Sequence, residues 1–354
     1  MLDLLQHRYG FNDTALAWFK SYLTHRKQSV VVRNVVSSSK ILRYGVPQGS
    51  VLGPLLFSLY FAPLEDLIKM HGTDCMMYAD DTQLYVSIDS LGNRSATAAK
   101  LELCVKDILI WCTANKLTCN PSKTEIVHLS SRFKHHELMS GIFIDDSIIT
   151  PVPVARDLGI ALDSHLKMNT HINNTCKAAS FAIRNIGRIR SYLNQEHCEK
   201  LVHAFITSRL DSCNSILFGL PDTEISKLQR IQNTAARLVN RSKKSEHITP
   251  ILRKLHWLPI KLRINYKILL ITYKALNGIA PDYISNLLTP YKPARSLRSS
   301  GQNLLFTPNS NTATYGDRAF SISAPKLWNT LPQNIRNADN INSFKSKLKT
   351  FLFQ

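Results

Sequence analysis

Residues 75–88 read CMMYADDTQLYVSI, and this stretch decides the reading of the chain. Branched and aromatic residues lie on both sides of a short acidic tip, Asp80-Asp81, which is the pattern of a β-hairpin. Two adjacent carboxylates at such a tip repel one another, and a divalent cation removes that cost. Hard oxygen ligands select Mg2+ or Mn2+, and metals about 3.5–4 Å apart are the common machinery for in-line displacement at phosphorus. Taken alone, Asp-Asp in a turn is more often turn chemistry than a metal site. The flanks decide between these readings.

Upstream, residues 45–57 read GVPQGSVLGPLLF. Its Gly-Pro stretches exclude a regular helix, whereas Leu55–Leu67 is predicted to be helical. The uncharged run from Tyr44 to Leu64 is too interrupted to span a membrane. Its apolar part would reach about 21 Å as a helix, against a hydrocarbon core of about 30 Å. Before it, residues 1–28 read as two helical pieces broken at Gly10 and Asn12-Asp13, with Asp13 as N-cap, and 28–44 as a hairpin turning at Ser37–Ser39. After the acidic tip, Ala96–Leu117 is an amphipathic helix, with Leu101, Val105, Ile108, Leu109 and Cys112 on one face. Lys123–Ser130, Gly141–Ile144 and Ala155–Asp163 are predicted strands. From His171 the pattern turns helical, near 171–193, 195–209, 223–241 and 259–276. Arg263, Lys267 and Lys274 share a stripe on the last of these, and Lys227, Arg230, Arg237 and Arg241 lie opposite the apolar face of 223–241.

Composition bounds the function. The 354 residues carry 44 Lys+Arg against 25 Asp+Glu, a net charge of +19, and are 44% hydrophobic. Global disorder is excluded. Residues 1–150 hold 15 basic and 14 acidic side chains, and residues 151–354 hold 29 and 11. A nearly neutral module with an acidic patch at 65–89, followed by a basic one, points to metal-binding carboxylates beside a surface for polyanions. Seven cysteines, with no C-x-x-C pair, fit free thiols in an intracellular setting, cytoplasmic or nuclear, better than a disulfide framework or a zinc site. No secretory leader is readable at the start.

YADD at 78–81, some thirty residues after GVPQGSVLGPLLF, resembles motifs C and B of the reverse transcriptases. KLTCNPSKTEIVHLS at 116–130 looks like motif D, and DLGIALD at 157–163 like the motif E strand. GFNDTALAWFKSYLTHRKQSV, LQRIQNTAARLV, LHWLPIKLRINYKILLITYKALNG and DRAFSISAPKLWNTLPQNIR are similar to the corresponding parts of the non-LTR (LINE-type, jockey-like) retrotransposon enzymes. The resemblance implies an α+β fold: a right-hand polymerase palm, lacking its motif A strand and fingers, then a helical thumb and a C-terminal helical module. The implied divisions are 1–150 for the partial palm with motifs B, C and D, 151–245 for the motif E strand and thumb, and 246–354 for a basic C-terminal region.

The resemblance also implies roles. Asp80 would be a metal ligand with Asp81 its companion; Gln48, Gly49 and Ser50 would line the template and nucleotide pocket; Lys123 would stand near the triphosphate. Mg2+ or Mn2+ is the implied cofactor. An RNA template and DNA primer, or an RNA/DNA duplex, with a deoxynucleoside triphosphate, are the implied partners, without a membrane. A third carboxylate, from motif A, lies in the family upstream of the leader that here follows Met1, and neither Asp3 nor Asp13 can stand for it. The expectation is therefore the C-terminal part of a polymerase, inactive as this chain alone. The alternative is a catalytically dead remnant that binds nucleic acid.

Overall fold

The computed structural model describes residues 1–46, 49–88, 94–130, 141–144, 147–292 and 302–354. The chain forms two units, Met1–Ile126 with His136–Pro151, and Val127–His135 with Val152–Gln354.

Among the described residues the first unit has the α-helices α1 (Leu2–His7), α2 (Asp13–Leu23), α3 (Gly53–Phe61), α4 (Pro63–Met70) and α5 (Arg94–Ala114). Its strands are β1 (Lys27–Gln28), β2 (Val31–Val32), β3 (Val35–Val36), β4 (Lys40–Ile41), β5 (Asp74–Tyr78), β6 (Asp81–Tyr85), β7 (Ile142–Ile144) and β8 (Ser147–Ile149). Every ladder among the described residues is an antiparallel pair, so no larger sheet is present there. The core is small: Phe61, Leu64, Ile68 and Cys104 are buried, with Cys75, Met77, Leu84, Ile108 and Trp111 packed on them. Polar ties fix the helices around it. The Tyr9 hydroxyl donates to the Leu59 carbonyl at 2.8 Å, the Tyr60 hydroxyl to that of Asn115 at 2.9 Å, and His71 pairs with Asp107 at 2.9 Å.

The second unit opens with the hairpin β9 (Val154–Asp157) and β10 (Ile160–Asp163), followed by α6 (Asn169–Arg188), α7 (Gln195–Val202), a π-helical turn at His203–Thr207 and α8 (Ser208–Asp211). Then come α9 (Asp222–Asn240), α10 (Ile248–Lys254), α11 (Ile260–Leu276), α12 (Asp282–Ser285), α13 (Phe320–Asn329), α14 (Gln333–Arg336) and α15 (Ile341–Leu352). One apolar core runs from Met168 to Leu348, with Trp328, Tyr273 and Phe344 at its centre. Tyr273 stacks on Phe344 with ring centroids 4.2 Å apart, a favourable aromatic arrangement.

Guanidiniums join distant segments of this unit, from the half-buried Arg318 and the buried Arg190. Arg318 donates from Nε to the Phe218 carbonyl at 2.9 Å, from Nη1 to Leu166 at 2.7 Å and from Nη2 to Ile216 at 3.0 Å. Gly219, at φ 70, makes room for it, since a Cβ there would lie 2.7 Å from Arg318 Cγ. Arg190 donates to the carbonyls of Leu238, Val239 and Leu193, which places a cation on the negative end of α9.

The structure corrects several expectations. The ribbon at 28–44 turns at Arg33-Asn34, with Val31 opposite Val36 and Val32 opposite Val35, because Arg33 adopts φ 55; the serine run is not the turn. Leu55–Leu67 is two helices, parted at Ala62-Pro63, since proline cannot donate to the preceding turn. The cap of α2 is Asn12, whose backbone is extended, rather than Asp13. Lys123–Ser130 forms no strand, only a bridge between Ile126 and Pro151. Ala155–Asp163 is a hairpin and not one strand, because Leu158 and Gly159 are both left-handed, at φ 44 and 86, as a two-residue hairpin loop requires.

Candidate functional site

The acidic tip sits on β5 and β6. Tyr78 lies directly opposite Asp81, and the register continues through Met77–Thr82, Met76–Gln83, Cys75–Leu84 and Asp74–Tyr85. Opposed residues share a face, so Cys75, Met77, Thr82 and Leu84 turn to the core and Asp74, Met76, Tyr78, Asp81, Gln83 and Tyr85 turn away from it. Period-2 patterning thus anchors one side of the hairpin and presents the other. Tyr78 and Tyr85 are 65% and 53% exposed on the presented face.

Only Ala79 and Asp80 remain to close the turn. Ala79 takes φ 55, a left-handed conformation that costs a residue with a Cβ roughly 1–2 kcal/mol. Strain of this kind, held at the tip of a hairpin packed on the unit's core, marks a position where geometry matters more than local stability. Asp80 and Asp81 are both exposed, and neither side chain bonds to another described residue, so their carboxylate oxygens are free for a cation. Among the described residues no group of three or more His, Cys, Asp or Glu is placed to hold a metal.

The other predicted residues fall as follows. Gln48 lies outside the described residues. Gly49 turns at φ 82 immediately before Ser50, and the Ser50 carbonyl accepts from the Gly53 amide at 3.2 Å. Ser50 Oγ is buried without a hydrogen-bond partner among the described residues. Lys123 ends a 3₁₀ turn, Pro121–Lys123, capped by Asn120, whose Oδ1 accepts from the Ser122 amide at 3.0 Å. Its ammonium is exposed and forms no ion pair with the described residues. All these residues belong to the first unit.

The basic second unit is less free than its composition suggests. Arg263 makes a two-pronged pair with Asp211, Lys227 pairs with Glu224 at 2.8 Å, and Arg237 and Arg241 donate to backbone carbonyls. Arg230, Lys267 and Lys274 have no carboxylate partner among the described residues. Sequence reasoning missed the strain at Ala79, for which the only signal is the shortness of the tip.

Residues 5–149 match the family model described as reverse transcriptase (RNA-dependent DNA polymerase). The chain is 28% identical over 231 residues to a probable RNA-directed DNA polymerase from transposon BS of Drosophila melanogaster, covering 62% of this chain and 25% of that protein. It is 26% identical over 226 residues to the probable RNA-directed DNA polymerase from transposon X-element of the same species, covering 62% and 24%. The RNA-directed DNA polymerase from the mobile element jockey, also of Drosophila melanogaster, is 29% identical over 164 residues, covering 45% and 17%. The chain thus spans a quarter or less of the length of these relatives. Residues 5–149 form a reverse transcriptase domain. Its relatives, the polymerases of jockey and other Drosophila elements, support a reverse transcriptase of the non-LTR retrotransposon kind.

No described helix is long and apolar enough to cross a membrane.

Proposed function

We propose that this chain contributes the carboxylate hairpin of an RNA-directed DNA polymerase of a non-LTR element, within a right-hand palm whose primer and template are gripped by the helices after residue 151. The observation that carries the reading is the two-residue tip, which leaves Asp80 and Asp81 exposed and unpaired beside the strained Ala79. Such a pair suits Mg2+ or Mn2+, which bind through one or two carboxylates together with substrate phosphates and water. When bound, the metal would supply charge stabilisation to the displacement at phosphorus. Asp80 and Asp81 would hold it; Gly49, having no Cβ, would admit the bases closely; Ser50 would supply a hydroxyl, and Lys123 a cation for the triphosphate. The substrates are an RNA template, a DNA primer and deoxynucleoside triphosphates. The basic helices need only neutralise phosphates, without reading bases.

A two-metal centre of this type needs a further carboxylate, and the described residues do not group one with this pair. The 354-residue chain by itself is therefore expected not to extend a primer, and to gain extension when a polypeptide carrying the family's motif A strand is supplied. The test is primer extension on an RNA template with Mg2+ or Mn2+, with and without that polypeptide. Extension that survives Asp80→Ala and Asp81→Ala overturns the assignment of the pair. In the other reading, a nucleic-acid-binding remnant, the complemented chain binds template but never extends.

A further inference from the structure

The near-neutral charge of residues 1–150 conceals a sharp separation. From Thr14 to Leu64 there is no aspartate or glutamate, while Lys20, Arg26, Lys27, Arg33, Lys40 and Arg43 all fall there. Three of these, Lys27, Arg33 and Lys40, lie on the ribbon of β1–β4 and Arg43 just beyond it; all four are exposed, and none forms an ion pair with a described residue.

We propose that this ribbon is an arm that enters the wide groove of duplex DNA. Lys27 stands opposite Ile41, and Gln28 opposite Lys40. Because Lys27 and Gln28 are neighbours on one strand, they project to opposite faces, so one lysine lies on each side of the ribbon. Arg33 occupies the tip at φ 55, and Arg43 the root. A surface meant to lie flat on a membrane or on another sheet would carry its cations on one face. Charges on both faces and at the tip suit a body with a phosphate wall on either side.

The dimensions agree. Two strands about 4.8 Å apart match the two-stranded ribbons that the major groove of B-form DNA, about 12 Å wide, admits. The major groove of A-form RNA is too deep and narrow for it. Val31, Val32, Val35, Val36 and Ile41 are 61–73% exposed, which supplies apolar contact for thymine methyl groups and sugars between the phosphate walls. Pairing of the ribbon with a second copy of itself would bring like charges together. The inference stands apart from the catalytic reading, since it uses none of the hairpin residues and predicts binding rather than extension.

The experiment titrates the full chain and the variant Lys27→Gln/Arg33→Gln/Lys40→Gln/Arg43→Gln against fluorescent 20-base-pair DNA, RNA of the same length and single-stranded DNA, between 50 and 200 mM salt. Each neutralised phosphate contributes about 0.9 to the slope of log K against log[salt]. The variant should therefore lose a slope of roughly 3–4 on duplex DNA, so that the native chain's affinity falls about a hundredfold more than the variant's across that range. Its losses on duplex RNA and single-stranded DNA should be smaller. An unchanged slope on duplex DNA, or equal losses on duplex RNA or single-stranded DNA, overturns the proposal. The single variant Arg33→Gln, which alters only the tip, should lose a slope of about one and guards against a folding defect in the fourfold variant.

Discussion

Tyr78 pairs directly with Asp81 across the β5–β6 hairpin, so that Ala79 and Asp80 alone turn the chain. The pairing sets the strain at Ala79, at φ 55. Replacing Ala79 by glycine removes a penalty of roughly 1–2 kcal/mol in the folded chain and adds a smaller entropic cost in the unfolded one. Ala79→Gly should stabilise the domain by about 0.5–1 kcal/mol in urea denaturation, and a loss of stability would show that the left-handed turn carries no strain.

The carboxylates at the tip contribute little to folding. Both side chains are exposed and bonded to no described residue, so Asp80→Asn/Asp81→Asn should shift unfolding by no more than about 0.5 kcal/mol. A large change in either direction, read by thermal melting without divalent metal, would mean that the pair has a structural role.

Arg263 and Asp211 make the opposite case. Their side chains are 18% and 35% exposed, and both guanidinium contacts fall on one carboxylate. Arg263→Ala should cost about 1–3 kcal/mol, mainly because Asp211 is left half-buried without its partner. The double variant Arg263→Leu/Asp211→Leu should recover much of that loss. Additive losses in the double-mutant cycle would refute coupling between the two.

His171, in the first turn of α6, is half-buried, and burial pushes its imidazole below the ordinary value. Between that lowered value and the free value of about 6.5, the unfolded chain binds more protons than the folded one. Its contribution is therefore fully present above about pH 6.5 and declines as pH falls toward the lowered value. Denaturation at pH 7.5 and pH 5 should show a smaller drop in stability for His171→Gln than for the native chain; identical drops would contradict this.

Much of the candidate site was legible because its signals are local. The alternation around YADD needs only neighbouring residues to declare a hairpin, whereas α5 brings Cys104, Ile108 and Trp111 to the core, of which the helical spacing marks only Ile108. What was not legible depended on partners far away or on backbone conformation. The serines at 37–39 have turn chemistry, yet the Val31–Val36 and Val32–Val35 pairs move the turn to Arg33-Asn34. DLGIALD reads as an extended run, yet two consecutive left-handed residues fold it back on itself. The basic stripe of α11 is visible from spacing, whereas the carboxylate that occupies Arg263 lies 52 residues earlier. Summing charge over 150 residues likewise averaged away the acid-free stretch that the ribbon occupies.

The guanidinium of Arg318 bonds to carbonyls 152, 102 and 100 residues before it. During synthesis the loop at Leu166 and the turn at Ile216–Phe218 therefore wait for a side chain made 100 to 152 residues later. The helical unit cannot close before Arg318 has emerged, and contacts of such long sequence separation make that closure slow.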